Sequence, residues 1–315
     1  MMSLIDIQKE LGTEKQCLAY LEAARWPSGL ACLNCGSVKI GRTESTVKAR
    51  RGAKAGQVVK TRHLFDCLEA ECGHQFSATT GTIFHDSHLP LNTWFHAVAL
   101  ICNAKKSLSA LQLQRDLGLG SYRTAWHLLH RIRKAMEPKG EGLFTGKVEA
   151  DETHVGGRFD KRRKRGRWEQ PLVFGALQRQ GAGKPSLVRL AIVQNAGRAT
   201  TAAVPEHVSP QARAFYTDES HAYKKFKNYR HQTVNHIRMQ WKRGDCHTNS
   251  IEGFWSLFKR GVRGQWHHIT VKHLQRYLDE FAFRFNNREA ENLFGLTVSR
   301  MAGTIALPYA DLISE

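Results

Sequence analysis

The chain has 315 residues, of which 41% are hydrophobic, with a formal net charge of +19 and a pI near 9.9. This composition excludes a disordered chain, and the lack of an apolar run of about 18 residues excludes a transmembrane helix. The first ten residues lack the charged and apolar regions of a secretory signal, so we expect a cytoplasmic protein. The positive charge favours contact with nucleic acid.

The first predicted domain, residues 1–85, combines a helix with a zinc ribbon. Thr13 and Gln16 have the spacing of a capping box that begins a helix. Two cysteine pairs follow, each with a glycine directly after it, which permits the tight turn around a metal. Four thiolates suit a closed structural Zn²⁺ site, and His74 in place of Cys72 is the alternative ligand. The predicted zinc ligands are Cys32, Cys35, Cys67 and Cys72.

Residues 86–140 form the second predicted domain, a small helical region. The pattern predicts a helix over 107–117, a glycine-bearing turn, and a further helix that Ser121 caps. The last helix is basic, which is typical of a helix-turn-helix that binds DNA. Arg123 and Arg131 are the predicted DNA contacts, and an ordinary helical hairpin between two domains is the alternative.

The third predicted domain, residues 141–315, has apolar runs that indicate three strands, a helix, a fourth strand and a further helix. This order suits an α/β fold with a mixed sheet of the ribonuclease-H type. The first strand is predicted to end at Asp151 and the fourth at Asp218. Glu252 lies on the following helix, and Lys259 is seven residues further on and therefore on the same face.

A strongly basic segment separates the first two of these strands. Residues 158–168 hold seven lysines and arginines. Such a run favours contact with backbone phosphates, which carry no base sequence. The predicted phosphate contacts in this segment are Arg162, Arg163 and Arg165.

The three acids suggest phosphodiester chemistry at Mg²⁺ or Mn²⁺. Two hard divalent ions about 3.5–4 Å apart activate water and neutralise charge, and such ions prefer carboxylate oxygens. The predicted ligands are Asp151, Asp218 and Glu252, and the ammonium of Lys259 can hold a phosphate. Asn249 shares a helix face with Glu252 and is the alternative third ligand. Charge favours Glu252, because three carboxylates offset more of the positive charge on two ions.

Taken together, these motifs resemble the DDE-type transposases of bacterial insertion sequences that carry an N-terminal zinc ribbon. The matching stretches are residues 26–29, 32–35, 75–77, 80–84, 149–157, 217–219, 247–261 and 273–288. The resemblance implies a ribonuclease-H-like catalytic domain, Mg²⁺ dependence, and a catalytic triad of Asp151, Asp218 and Glu252. It also implies binding, as a homo-oligomer, to terminal inverted repeats in double-stranded DNA, followed by strand transfer into target DNA. Some members of the family carry asparagine at the third position, which keeps Asn249 open.

Two other functions use the same features. A zinc-dependent DNA-binding regulator with a relic catalytic domain would need no acids, and the intact acids argue against it. A stand-alone DNA nuclease would need the acids but no element for locating one site. The ribbon and the helix-turn-helix pattern therefore favour the transposase.

Overall fold

In the computed structural model, the chain forms two compact units. The structure describes residues 2–48, 58–155, 171–181, 184–194, 197–266 and 269–314. We call residues 2–99 with 294–314 the ribbon unit, and residues 100–293 the sheet unit. The predicted division into three domains remains a proposal. Within the described ranges, none of the helices has the length and apolarity that crossing a membrane requires.

The described residues form helices and strands in both units. The helices are α1 (Leu4–Glu10), α2 (Glu14–Arg25), α3 (Leu91–Asn103), α4 (Ala110–Asp116), α5 (Tyr122–Ala135), α6 (Arg198–His207), α7 (Asn249–Gly261), α8 (Val271–Asn286), α9 (Leu293–Ala302) and α10 (Tyr309–Ser314). The strands are β1 (Ile40–Lys48), β2 (Val58–Cys67), β3 (Gln75–Phe76), β4 (Lys147–His154), β5 (Leu172–Arg179), β6 (Leu187–Val193), β7 (Ala214–Thr217) and β8 (His231–Thr233).

The ribbon unit contains the predicted zinc ribbon. Thr13 and Gln16 form the predicted capping box, because the hydroxyl of Thr13 accepts from the amide of Gln16 and the side chain of Gln16 accepts from the amide of Thr13. Strands β1 and β2 form a long antiparallel hairpin, and β3 adds to β2. The rings of Trp26, Phe65 and Phe76 pack against one another. The prediction of a ribbon with a long hairpin is confirmed.

The sheet unit is built on a five-stranded mixed sheet in the order β6-β5-β4-β7-β8. Strand β5 runs antiparallel to β4 and β6, whereas β4, β7 and β8 are parallel. This arrangement confirms the predicted ribonuclease-H-like fold. The parallel register pairs Glu149 with Tyr216, so two residues further on Asp151 is level with Asp218.

An apolar cluster covers each face of this sheet. One face carries Val148, Ala150 and Phe215, which pack with residues of α6. The other face packs against α7 and α8 through an aromatic-rich cluster. The predicted apolar stripe of α8 is confirmed, since Leu274, Leu278 and Phe281 are buried and Phe285 is partly buried.

A glycine in β5 lets α7 approach the sheet closely. A Cβ built on Gly175 would lie 2.5 Å from the ring of Trp255 and 3.1 Å from Ile251. Any larger residue would therefore push α7 away from the sheet. Because Gly175 is paired with Asp151, this close approach occurs beside the first predicted acid.

The predicted pair of helices around a glycine turn is present as α4 and α5. Helix α4 begins at Ala110, three residues later than Ser107, which adopts a positive φ of 72°. Gly118 takes a φ of 59° in the turn, and the hydroxyl of Ser121 caps α5 by accepting from the amide of Thr124.

Candidate zinc site and candidate active site

Four cysteine sulfurs meet in the ribbon unit. The Sγ atoms of Cys32 and Cys72 are 3.7 Å apart, and those of Cys35 and Cys67 are 3.5 Å apart. All four lie within 4.8 Å of one another. Tetrahedral zinc with bonds of about 2.3 Å separates its sulfur ligands by about 3.8 Å, so the cluster fits Zn²⁺. It is the only group of three or more potential metal ligands at this spacing in the described ranges.

The turns around the cysteines explain how the cluster forms. Gly36 and Gly73 adopt φ values of 74° and 49°, which return the backbone towards the sulfurs. The side-chain amide of Asn34 donates to the sulfur of Cys72 and lowers the pKa of this thiol. The ring of His74 instead stacks on Phe76 with centroids 5.6 Å apart, and it is not a member of the cluster. The described ligand set is therefore the four cysteines.

Asp151 and Asp218 lie side by side at one edge of the parallel pair β4 and β7. Strand β7 ends at Thr217, so Asp218 lies one residue beyond the strand that it was predicted to end. The prediction that β4 ends at Asp151 is wrong, because Asp151 still pairs with Gly175 and the antiparallel ladder continues to His154. The parallel ladder with β7 does stop at Glu149, so Asp151 lies beyond the last β7 partner.

The electrostatics of Asp151 indicate a concentration of negative charge. The pKa of Asp151 is raised to about 7, chiefly by burial and in addition by the charges of Asp218, Glu152 and Glu252. Burial also raises the pKa of Asp218, although the amide of Ser220 donates to its carboxylate at 3.0 Å. The three predicted ligands therefore lie within electrostatic range of one another, and a divalent cation would relieve their mutual repulsion.

The three carboxylates are nevertheless not gathered at the spacing of a single ligand shell. Within the part of the chain that the structure describes, only the cysteines have ligand atoms all within 4.8 Å. The acids are thus spread more widely than the ligands of one small ion. Their residue types suit Mg²⁺ or Mn²⁺, which prefer oxygen ligands and retain open positions for water and phosphate.

Helix α7 carries the remaining predicted residues. The carboxylate of Glu252 accepts from the hydroxyl of Thr248 at 2.6 Å, and Nε2 of His236 lies 3.7 Å away. Asn249 is the exposed first residue of α7, and Lys259 is half-buried in its last turn. The charge of Glu252 acts on both Asp151 and Asp218.

A buried ion pair beneath α7 was missed by sequence reasoning. Glu149 is fully buried, and its carboxylate accepts from the Nε of Arg179 and from the amides of Ser250 and Ile251, both at 2.9 Å. Arg179 also donates to the carbonyl of His247 at 2.8 Å. This network ties β4 and β5 to the first turn of α7. One signal in the sequence could have indicated this ion pair. Glu149 lies between the apolar residues Val148 and Ala150 in a predicted strand, where a carboxylate needs a partner if its face is also buried.

The predicted DNA-contacting residues differ in their exposure. Arg123 is exposed at the start of α5, whereas Arg131 is only 6% exposed, so its burial weighs against a phosphate contact. The C-terminal half of α5 is buried, and there Arg133 forms a 2.8 Å ion pair with Glu280. Three further predicted contacts, Arg162, Arg163 and Arg165, lie outside the described residues.

Comparison with known proteins supports the same two regions. An ISXO2-like transposase domain matches residues 144–286, and a transposase zinc-ribbon domain matches residues 12–75, together about two thirds of the chain. The chain is also similar to an uncharacterized protein in transposable element ISH50 of Halobacterium salinarum. The two are 26% identical over 297 residues, which cover 88% of this chain and 92% of that protein. No solved structure matches.

The fold, the four-cysteine cluster and these matches together define a transposase. More particularly, the chain belongs to the DDE-type transposases of insertion sequences that carry an N-terminal zinc ribbon.

Proposed function

We propose that this transposase binds the terminal inverted repeats of its element, cleaves the element end with Mg²⁺ or Mn²⁺, and joins the freed 3′-OH to target DNA. The observation that supports this most is the parallel register of β4 and β7, which makes Asp151 level with Asp218. Glu252 is in electrostatic range of both aspartates.

The three acids share one proposed task, and Thr248 and Lys259 each have another. Asp151, Asp218 and Glu252 would hold the metal ions, which when bound supply an activated water and neutralise charge on the attacking and leaving oxygens. Because its pKa is raised to about 7, chiefly by burial, Asp151 would be protonated in about half of the molecules at neutral pH, and metal binding would favour the ionised form. The hydroxyl of Thr248 orients Glu252. Lys259, on the same face of α7, would hold a phosphate of the substrate.

Binding of DNA would rest on the basic surface of the chain. The net charge of +19 provides general attraction to the phosphate backbone. The zinc ribbon and the exposed Arg123 would fix the position of the inverted repeat, and the segment 158–168 would hold further phosphates. We also propose that copies of the chain assemble on DNA, since two element ends must be joined to one target.

A labelled inverted-repeat duplex and a plasmid target test this function directly. The full chain with Mg²⁺ should nick the duplex and then join it to the plasmid. Asp151→Asn and Asp218→Asn should each slow cleavage roughly a thousandfold or more while duplex binding persists, because each removes a metal ligand. Cleavage without joining would indicate a nuclease. Sequence-specific binding without cleavage in Mg²⁺ or Mn²⁺ would indicate a regulator.

The same single-turnover assay separates the two candidates for the third ligand. Glu252→Gln should abolish cleavage and preserve binding of the inverted repeat, because the amide removes a negative charge without changing side-chain size. Asn249→Ala should only reduce the rate, as expected of a residue that orients a ligand or water. The opposite ranking would assign the third ligand to Asn249.

A further inference from the structure

A short turn in the sheet unit exposes three large apolar side chains. Ile237 is 83% exposed, Met239 is 82% exposed and Trp241 is 55% exposed. We call residues 235–241 the apolar turn. Single exposed apolar residues are common, but three within five residues form a patch of the kind that marks a binding surface.

The apolar turn is held in one conformation. Asn235 pairs with Gln240 across the turn, and its side-chain oxygen accepts from the amide of Arg238 at 2.9 Å. Met239 adopts a φ of 55°, in the left-handed region that residues other than glycine rarely occupy. This backbone geometry keeps the side chains of Ile237 and Met239 pointing outwards, since both remain over four-fifths exposed.

The turn is anchored to the acidic site. Glu219, which follows Asp218 directly, accepts from the amides of His236 at 2.9 Å and Ile237 at 3.3 Å. Nε2 of His236 is in turn 3.7 Å from the carboxylate of Glu252. The ring of Trp241 lies over that of His236, with centroids 4.6 Å apart and an angle of 31° between the planes. One imidazole ring therefore separates Trp241 from a proposed metal ligand.

The charges around the turn identify the partner. Arg238, Lys242 and Arg243 are exposed in the same stretch of chain. The nearby acid, Asp245, forms an ion pair with Lys147. A surface that alternates apolar groups with cations repels a second copy of itself and suits the bases and phosphates of DNA.

We propose that the apolar turn is a binding site for nucleobases at the DNA end that is cleaved, a role that rests on the proposed function. Trp241 stacks on a base displaced from the duplex, while Ile237 and Met239 occupy the space between the opened base pairs. Apolar side chains that enter a base step unstack it and kink the duplex. Opening the end in this way frees the scissile phosphate to approach the acids next to His236.

Base opening is measurable without cleavage. The full chain would be bound, in Ca²⁺ in place of Mg²⁺, to inverted-repeat duplexes that carry 2-aminopurine at successive positions around the cleavage point. Fluorescence should rise at one or two positions for the unaltered chain. Trp241→Ala and the double variant Ile237→Ala with Met239→Ala should lose most of this rise. Ile305→Ala, which removes an isoleucine that is 71% exposed in the ribbon unit, is the matched control and should retain it.

Cleavage in Mg²⁺ distinguishes base binding from a structural effect. Trp241→Ala should cleave a fully paired end about 5- to 150-fold more slowly, the range for loss of one base–aromatic stack. On a duplex with mismatched base pairs at the end, the variant should recover most of the unaltered rate, since the opening no longer has to be stabilised.

Three results would overturn the inference while the proposed function stands. The first is normal cleavage by the unaltered chain with no fluorescence change at any position. The second is an equal defect of Trp241→Ala on paired and mismatched ends. The third is a loss of self-association by the variants with base opening intact, which would make the turn a protein contact. Failure of the unaltered chain to bind and cleave the inverted repeat would reject the proposed function, and this inference with it.

Discussion

The two candidate metal sites of this chain are built in opposite ways. The four cysteine sulfurs already lie within 4.8 Å of one another, whereas the three carboxylates of the sheet unit do not meet this spacing. A thiol with an ordinary pKa is mostly neutral near pH 7, so thiols repel one another less than carboxylates do when the fold brings them together. The pKa of Cys72 is lowered to about 6, chiefly by the side chain of Asn34, so this group is mostly ionised at that pH. Carboxylates near neutral pH repel one another and must be held apart on a rigid frame. The cysteine cluster is thus assembled by the fold itself, whereas the three carboxylates are held further apart than the ligands of one ion.

The largest expected effect separates the cysteine cluster from the other thiols. Cys67→Ser should reduce bound zinc from about one per chain to nearly none and unfold the ribbon, because structural zinc contributes on the order of 10 kcal/mol to folding. Binding of the inverted repeat should weaken at least tenfold in consequence. Elemental analysis and limited proteolysis measure both changes.

Cys17→Ser is the matched control for this experiment. Cys17 is also buried in the ribbon unit, but its sulfur donates to the carbonyl of Leu11 and is not in the cluster. This variant should keep its zinc. Full zinc content in Cys67→Ser would show that the ribbon does not depend on the four sulfurs.

A smaller effect should arise from the frame under the acidic site. Glu149→Gln leaves Arg179 without its buried partner and loosens the first turn of α7, so stability should fall by about 3–5 kcal/mol. Single-turnover cleavage by the folded protein should fall about tenfold or more, because Glu252 is displaced.

The second buried pair of the sheet unit provides the comparison. Glu280→Gln breaks the ion pair between Arg133 and Glu280, which joins α5 to α8 and includes no proposed metal ligand. Urea unfolding should show a similar loss of stability for both variants, but only Glu149→Gln should slow cleavage. An equal loss of cleavage rate in both would mean that Glu149 has no specific part in positioning α7.

The pH dependence of stability should show the free-energy cost of ionising Asp151 in the folded chain. The pKa of Asp151 is about 7 in the folded chain and 3.8 as its ordinary value. A raised pKa means that this group favours folding below about pH 4 and that its contribution is lost as pH rises through 7. Asp151→Asn should therefore be more stable than the unaltered chain at pH 8 by a few kcal/mol, and by less at pH 5.

Urea unfolding without Mg²⁺, in buffer that contains no chelator so that zinc is retained, measures this difference. Asp116→Asn, which alters an exposed aspartate at the end of α4, is the matched surface control. A gain from Asp151→Asn that is the same at both pH values would contradict the raised pKa.

Much of the fold and the cluster of four cysteines could be predicted from local patterns. The cysteine pairs with their glycines, the capping box at Thr13 and the acid after β7 are each set by residues within a few positions. These short-range rules apply because turn and cap geometry is local. The order of strands and helices was also sufficient to predict the mixed sheet.

The contacts that position the acids could not be predicted in this way. Glu149 accepts a hydrogen bond from Arg179 on the neighbouring strand β5. It also accepts one from the amide of Ile251, which belongs to a helix about 100 residues further along the chain. Gly175 matters because Trp255 lies against it, which no local pattern reveals. The continuation of β4 past Asp151 likewise depends on pairing with β5. Burial of Arg131 follows from the packing of α5, whereas its position in a basic helix suggested the surface.

The most direct test of the central claim, that Asp151 is a ligand of the catalytic metal, is a change of metal preference. Asp151→Cys replaces a hard oxygen ligand by a thiolate, which binds Mn²⁺ more readily than Mg²⁺. In single-turnover cleavage of the inverted repeat, we expect this variant to be inactive in Mg²⁺ and to recover measurable cleavage in Mn²⁺, whereas Asp151→Asn stays inactive in both. Equal activity of Asp151→Cys in the two metals, or no recovery in Mn²⁺ while DNA binding is intact, would contradict the assignment.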